Sequence, residues 1–111
     1  MHAVVIEQSG RTRVVCGSGE LDAFAAPDLS SAFDAIRGER SVVADLTRVS
    51  FIDSTALGVI VRGVRALHED GARVQVVLPA GSARRIFEIT ALDRALPVAA
   101  SQRAALEALD A

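Results

Sequence analysis

The sequence is poor in cysteine and lacks the larger aromatic residues. Its 111 residues include a single cysteine, Cys16, and neither Trp nor Tyr. A lone cysteine cannot form an internal disulfide and suits a reducing compartment, so we expect a cytoplasmic protein. Four Phe and a net charge of -2 provide neither the stacking surfaces nor the basic patch of a nucleic-acid-binding protein. Nucleic acid is therefore not an expected partner.

Lysine and long apolar runs are also missing. All 12 basic residues are Arg, and no Gly-rich phosphate-binding loop with a lysine is present. No apolar run approaches the ~20 residues that span a bilayer, and the N-terminus, with Glu7 soon after Met1, lacks a secretory layout. The only histidines, His2 and His68, have no metal-ligand partner at a recognisable spacing. We expect no membrane partner, no metal, no cofactor and no enzymatic activity.

Half of the residues are hydrophobic, which suffices for one domain of this length to build a core without metal or disulfide. Two apolar runs, residues 3–6 and 13–16, flank a polar link and predict a β-hairpin at the start of the chain. Cys16 is expected to pack there as a small hydrophobic residue. The glycine-containing residues 17–22 are predicted to leave the strand as a turn.

The next two elements are a helix and a buried strand. Pro27 suits the first helical position and Gly38 suits the end of that helix. Its predicted core face carries Leu29, Ala32, Phe33 and Ile36. Residues 41–46 are mostly apolar and do not alternate with polar residues, which predicts a central strand that is covered on both faces. Asp45 interrupts this run, and we expect loop N–H groups to satisfy its carboxylate, although a role in organising the Ser54 loop stays open.

The remaining elements complete an α/β pattern. Residues 73–78 read as a strand, residues 83–89 as a short helix, and residues 96–98 as a short edge strand. Ser101 is expected to cap a last helix that docks through Ala105, Leu106 and Leu109. Alternating strands and helices predict an α/β domain with a mixed β-sheet, opening with a hairpin and covered by about four helices.

The most distinctive stretch is Asp53-Ser54-Thr55-Ala56-Leu57-Gly58, at the start of a predicted amphipathic helix. The first N–H groups of a helix lack partners, and either Asp53 or Ser54 is suited to cap them. The core face of this helix is predicted to carry Leu57, Ile60, Val61, Val64 and Leu67. The opposite face is mostly small and uncharged, which favours a surface that another protein covers. It carries Thr55, Val59, Arg62, Gly63 and Ala66.

Three segments resemble STAS domains of the anti-sigma factor antagonist type. The first comprises residues 43–46 (VADL) and 49–58 (VSFIDSTALG), which are similar to the core motif of these domains. The second comprises residues 19–22 (GELD) followed by 26–29 (APDL), and the third is residues 85–92 (RIFEITAL). The likeness runs in order along nearly the whole chain, so it implies one STAS domain over residues 1–111.

This resemblance implies a bacterial partner-switching regulator of the stress-response type. In the family, the unphosphorylated antagonist captures an anti-sigma factor that is also a serine kinase, and thereby frees a sigma factor. Phosphorylation of the serine after the acid switches binding off, and a phosphatase is a further implied partner. Carried over to this chain, the acid is Asp53, the acceptor is Ser54, and Thr55 is the alternative acceptor. A monomer or a weak dimer is expected.

The resemblance and the helix face opposite the predicted core together give the expected contact residues, and the resemblance shows one departure. The expected contact residues are Asp22, Asp53, Ser54, Thr55 and Ala56, with Val59, Arg62 and Gly63 from that helix face. Ala56 stands where the family most often has Gly, and alanine is the better helix former by up to ~1 kcal/mol. We therefore expect a stiffer helix start and a methyl group that hinders close approach of a kinase.

Two alternatives stay open from the sequence. By residue type alone, Ser54 is a simple helix cap rather than a phosphorylation site. At the level of function, the alternative is a STAS scaffold subunit of a lipid-transport or stress-signalling complex, which binds its partner without being phosphorylated. A mass measurement on the endogenous protein separates a phosphorylated switch from such a scaffold.

Overall fold

The computed structural model describes residues 1–78, 81, 85 and 98–110, in which one five-stranded sheet carries three helices. The strand order is β1-β2-β3-β4-β5, with β1 antiparallel to β2 and every later pair parallel. The strands are β1 (His2–Ser9), β2 (Thr12–Leu21), β3 (Ser41–Ile52), β4 (Arg73–Val77) and β5 (Val98–Ala99). The helices are α1 (Ala26–Ala35), α2 (Ser54–Glu69) and α3 (Gln102–Asp110).

This architecture confirms the predicted α/β class and the mixed sheet that opens with a hairpin. β4 and the last helix also lie where they were predicted. The helix predicted at residues 83–89 falls outside the described residues except for Arg85, and so do residues 96–97 of the predicted last strand. Within the described ranges, no helix is long and apolar enough to cross a membrane.

The first two strands are longer than predicted. Their two-residue link contains Gly10, whose φ of 59° lies in the left-handed region that suits glycine. The turn predicted at residues 17–22 is wrong, because β2 stays paired as far as Leu21. Gly19, with φ of 75°, serves instead a close approach between strands, since a Cβ there would collide with the carbonyl oxygen of Met1. A glycine read as a turn signal thus lies inside a strand.

β3 also continues past its predicted end at Leu46 and reaches Ile52. Its second half is not a continuous apolar run, but it pairs with β2 through two register shifts. Val49 and Ile52 still pack against the core. Long-range pairing with β2, rather than local hydrophobicity, therefore extends this strand to the start of α2.

The two faces of the sheet carry two separate hydrophobic cores. The α1–α2 core is the larger and contains Leu29, Phe33, Val42, Ala44, Ile60 and Val64. The α3 core lies on the opposite face and contains Val14, Val43, Val77, Ala105 and Leu109. Neighbouring residues of β3 point to opposite faces and so enter different cores. This confirms the prediction of a central strand covered on both sides.

The helices follow their sequence patterns closely. α1 begins at Ala26, one residue before Pro27, and three of the predicted core residues are buried within it. The fourth, Ile36, is the C-cap residue and is also buried. The predicted core face of α2 is buried except at Val61, which is half-buried. In α3, the Ser101 hydroxyl accepts a hydrogen bond from the N–H of Ala104 at 3.1 Å, which confirms the predicted cap.

Asp45 is satisfied within the fold as expected, but by residues of β3 and α3 and not by loop N–H groups. Its Oδ1 accepts hydrogen bonds from the N–H of Thr47 at 2.9 Å and from the hydroxyl of the same residue at 2.7 Å. Its Oδ2 accepts a 2.8 Å hydrogen bond from the side chain of Gln102, the first residue of α3. The carboxylate therefore ties the α3 start to the middle of the sheet.

Candidate functional site

The ends of β2 and β3 bring together two segments that are far apart in sequence. Leu21 pairs with Ile52, and the N–H of Asp53 donates to the carbonyl oxygen of Leu21 at 3.0 Å. Asp22 and Asp53 follow directly on these neighbouring parallel strands, so both acids lie at the carboxyl edge of the sheet. We call the group Asp22, Asp53, Ser54 and Thr55 the Ser54 site.

Asp53, and not Ser54, caps α2. Its backbone is extended, with φ of -95° and ψ of 174°, and its Oδ1 accepts a hydrogen bond from the N–H of Ala56 at 2.9 Å. Ser54 and Thr55 are the first two helical residues and both are exposed. Their hydroxyls make no hydrogen bond with any described residue. The simple cap interpretation of Ser54 is therefore wrong, and its hydroxyl is available at the surface.

The Asp22 side chain likewise accepts hydrogen bonds from backbone N–H groups, in the turn that precedes α1. Its Oδ1 accepts hydrogen bonds from the N–H groups of Phe24 at 3.0 Å and Ala25 at 3.3 Å. These bonds hold the turn that presents Phe24, whose surface is 86% exposed. No role for Phe24 was predicted from the sequence. The sequence did contain one signal for an exposed aromatic residue, because Phe24 precedes α1 and does not fall on the helical period that places residues of α1 in the core.

Ala56 does not lie on the surface as expected. Its relative exposure is 0%, and its side chain is part of the α1–α2 core. The methyl group cannot crowd an approaching kinase, so that part of the prediction is wrong. Only the backbone N–H of Ala56, which donates to Asp53, contributes to the Ser54 site.

The predicted partner face of α2 is not a free surface, because much of it lies against α1. Gly63 contacts the ring of Phe33 so closely that a Cβ would lie 2.5 Å from Cγ. Val59 is half-buried and packs against the α1–α2 core. A groove with a volume of about 150 Å³ runs between the helices. This α1–α2 groove is lined by Ser30, Phe33, Asp34, Arg37, Val59, Arg62, Gly63 and Ala66.

Arg62 is the exposed charged residue of α2 that links this groove with the Ser54 site. Its Nη1 lies 3.2 Å from the position that a Cβ on Gly58 would occupy. The guanidinium therefore folds back over Gly58, one helical turn closer to Ser54. The absence of a side chain at Gly58 leaves room for this arrangement. A positive charge thus lies along the helix face that begins at Ser54.

A second cavity, of about 320 Å³, opens on the α3 face of the sheet and includes Cys16, Glu7 and Asp45. Burial, followed by the nearby carboxylates of Glu7 and Asp45, raises the pKa of the Cys16 thiol to about 11. At neutral pH the thiol stays protonated and is a poor nucleophile. Cys16 packs against the α3 core, as the sequence predicted.

The structure is a small α/β domain with an exposed hydroxyl at the start of a helix. The profile of the STAS domain family matches residues 3–105. The chain belongs to this family.

The chain is similar to several known proteins, among them two sequence relatives and one solved structure. It is 34% identical over 76 residues to the anti-sigma-B factor antagonist of Staphylococcus aureus, covering 67% of this chain and 70% of the relative. It is 35% identical over 77 residues to the protein of the same name in Listeria monocytogenes, covering 68% of each. A crystal structure of an anti-sigma factor antagonist from Mycobacterium paratuberculosis superposes with a TM-score of 0.88 at 27% identity, covering 100% of this chain and 96% of the other.

Proposed function

We propose that this protein is an anti-sigma factor antagonist whose binding is controlled at Ser54. With Ser54 unmodified, it binds an anti-sigma factor that has serine kinase activity, and a sigma factor is released. Phosphate on Ser54 ends this binding. The protein itself is a binding partner and not an enzyme, and it acts in the cytoplasm, where sigma factors work.

The observation that carries the proposal is that Asp53 caps α2 while Ser54, the next residue, does not. Because Asp53 caps α2, the Ser54 hydroxyl is exposed and free to react or to contact a partner. The family membership and the names of the relatives support the class of partner. The carboxylate of Asp53 therefore stabilises the helix start, and the exposed hydroxyl directly beside it is the proposed phosphate acceptor.

The fold tolerates a phosphate at this position. A phosphoserine carries about -1.5 to -2 charges at neutral pH, and the partial positive charge of a helix N-terminus favours an anion there. The adjacent Asp53 carboxylate opposes it, but the site is open to solvent and screened. Phosphorylation should thus leave the sheet and both cores intact.

A partner that accepts a neutral hydroxyl does not accept this charge. Burying an uncompensated phosphate beside Asp53 costs desolvation and like-charge repulsion that we put at ~3 kcal/mol. That corresponds to a loss of about a hundredfold in affinity. A change of this size is sufficient for a binding switch.

Site-mapped mass spectrometry tests the acceptor. The protein is incubated with the cognate anti-sigma factor kinase and ATP, and we expect phosphate on Ser54. Ser54→Ala should abolish labelling and keep binding, while Thr55→Ala, the matched control, should still be labelled at Ser54. Phosphate on Thr55 alone contradicts the assignment, and binding without any phosphate favours the scaffold alternative.

Arg62 allows a test of the binding face that is independent of phosphorylation. Arg62→Glu reverses the charge beside the Ser54 site and should weaken binding of the anti-sigma factor by about tenfold, mainly by slowing association. Arg65→Glu makes the same charge change at another exposed position of α2 and should leave the affinity unchanged. Surface plasmon resonance measures both variants. If the two substitutions changed the affinity equally, Arg62 would have no specific role in the interface.

A further inference from the structure

The outer edge of β1 is long and unprotected. β1 is the first strand of the sheet, and its eight residues pair with β2 without a register shift. No strand among the described residues pairs with its other edge. That edge presents a row of backbone N–H and C=O groups to solvent, which is a template for a further strand.

Proteins usually block such an edge, and β1 has few of the usual devices. His2–Ser9 contains no Pro, Lys or Arg, no β-bulge, and a single carboxylate, Glu7. Within the part of the chain that the structure describes, the strand at the opposite edge is β5, whose two residues offer a much shorter template than β1. β1 is therefore the edge strand with enough unpaired backbone to accept a further strand.

The side chains of β1 also leave apolar surface uncovered on both faces. Val4 and Ile6 are only half-buried against the α1–α2 core. Val5, on the opposite face, is 50% exposed. A strand added at this edge would cover all three side chains while pairing the free backbone groups.

We propose that the occupant of this edge is β1 of a second copy of the protein, paired antiparallel about a two-fold axis at Val5. This register places Val5 opposite its own copy and Val4 opposite Ile6 of the second chain. An antiparallel pairing about an axis at Ile6 has the same number of paired residues, but it places Val5 opposite Glu7 and Val4 opposite Gln8. Of these two registers, which each pair seven strand residues, only the Val5-centred one matches apolar with apolar side chains on both faces. A register centred on Val4 also does so, but it pairs only five strand residues and leaves Ile6 opposite His2.

The resulting dimer contains one continuous ten-stranded sheet. Its interface is a single strand pair, which is small, so we expect reversible association rather than an obligate dimer. The Ser54 site lies at the carboxyl ends of β2 and β3, so the association does not depend on the function proposed for that site.

Sedimentation equilibrium between roughly 5 µM and 500 µM tests the proposal in the range expected for a small interface. The mean mass should rise from 11.6 kDa toward twice that value. Val5→Lys places two ammonium groups opposite each other and should keep the protein monomeric. Phe51→Lys is the matched control, since Phe51 is 53% exposed but lies on β3, and this variant should dimerise like the parent.

Two substitutions at Ala3 test the register. In the proposed pairing Ala3 faces Glu7 of the second copy, so Ala3→Lys creates two opposite-charge pairs and Ala3→Glu creates two like-charge pairs. The dissociation constant should fall by about three- to tenfold for Lys and rise by a similar factor for Glu. Hydrogen exchange at high protein concentration should add protection in residues 2–8 and leave α3 unchanged.

A mass of 11.6 kDa throughout the concentration range overturns the proposal. So does a dimer that Phe51→Lys disrupts and Val5→Lys preserves, because its interface is then elsewhere. Equal effects of Ala3→Lys and Ala3→Glu would overturn the stated register. Circular dichroism of each variant establishes that a monomeric mass reflects lost association in a folded protein.

Discussion

At the scale of single residues, the site depends on which of two neighbouring oxygens caps α2. Asp53 and Ser54 are both good capping residues, and their spacing to the first free N–H groups is similar. The extended backbone of Asp53, and the hydrogen bond that its carboxylate accepts from the N–H of Ala56, show that Asp53 is the cap. As a consequence, Ser54 keeps an exposed hydroxyl that makes no hydrogen bond with the described residues.

Asp53→Ala tests the structural part of this assignment. Removing the carboxylate leaves the N–H of Ala56, in a part-buried position, without its partner and should lower the free energy of unfolding by about 0.5–2 kcal/mol. Asp53→Asn keeps an oxygen acceptor and should cost much less. Urea titration followed by circular dichroism measures both. Equal losses in the two variants would show that the charge of Asp53, and not its hydrogen bond, stabilises the helix start.

At the scale of secondary-structure elements, the packing of α1 against α2 explains a glycine in the middle of a helix. Glycine is unfavourable there by up to about 1 kcal/mol relative to alanine. Gly63 is nevertheless required, because Phe33 of α1 occupies the space that a side chain would need. The close helix contact also determines the shape of the α1–α2 groove.

Gly63→Ala should therefore destabilise the protein although alanine has the higher helix propensity. A Cβ would lie 2.5 Å from Cγ of Phe33, so the ring or one of the helices must move. We expect a net loss of about 1–3 kcal/mol in thermal unfolding, which is typical of overpacking. In the Phe33→Leu background the same substitution should cost less. An unchanged or raised Tm for Gly63→Ala would contradict the close packing.

At the scale of the whole molecule, β3 couples the two cores. Val43 packs in the α3 core, whereas Val42 and Ala44 pack in the α1–α2 core. α3 is held to the same sheet by the hydrogen bond between Asp45 and Gln102. The Arg73 guanidinium also donates to the carbonyl oxygens of Ala108 and Leu109, at 3.0 and 2.9 Å. Because the cores share strands, they should unfold together.

Leu109→Ala tests this coupling. It removes a buried side chain from the α3 core and should cost about 2–3 kcal/mol, at the low end of such substitutions because the residue lies near a helix end. Unfolding should remain a single transition by fluorescence of a bound dye and by circular dichroism. The control, Glu107→Ala, removes only an exposed ion pair with Arg103 and should cost almost nothing. Two separate transitions in Leu109→Ala would show that α3 unfolds independently.

Much of the fold was predictable because its signals are local. The apolar period of α1 and α2, the cap at Ser101 and the continuous apolar run of residues 42–44 correctly indicated which side chains enter the cores. The motif around Ser54 correctly indicated the family. Helical periodicity and capping depend on neighbours within one or two turns, so a sequence window contains the information.

The features that were missed depend on partners that are distant in sequence. Only pairing with β2 shows that β3 continues to Ile52, and only contact with α1 shows that Val59 and Gly63 face a neighbouring helix. The burial of Ala56 has the same cause. The sequence by itself determined the α/β class, the core faces and the position of Ser54 at the start of α2. The tertiary structure decided strand lengths, the α1–α2 groove and the placement of Asp22 and Asp53 at one edge of the sheet, because these follow from long-range packing and pairing that no local pattern encodes.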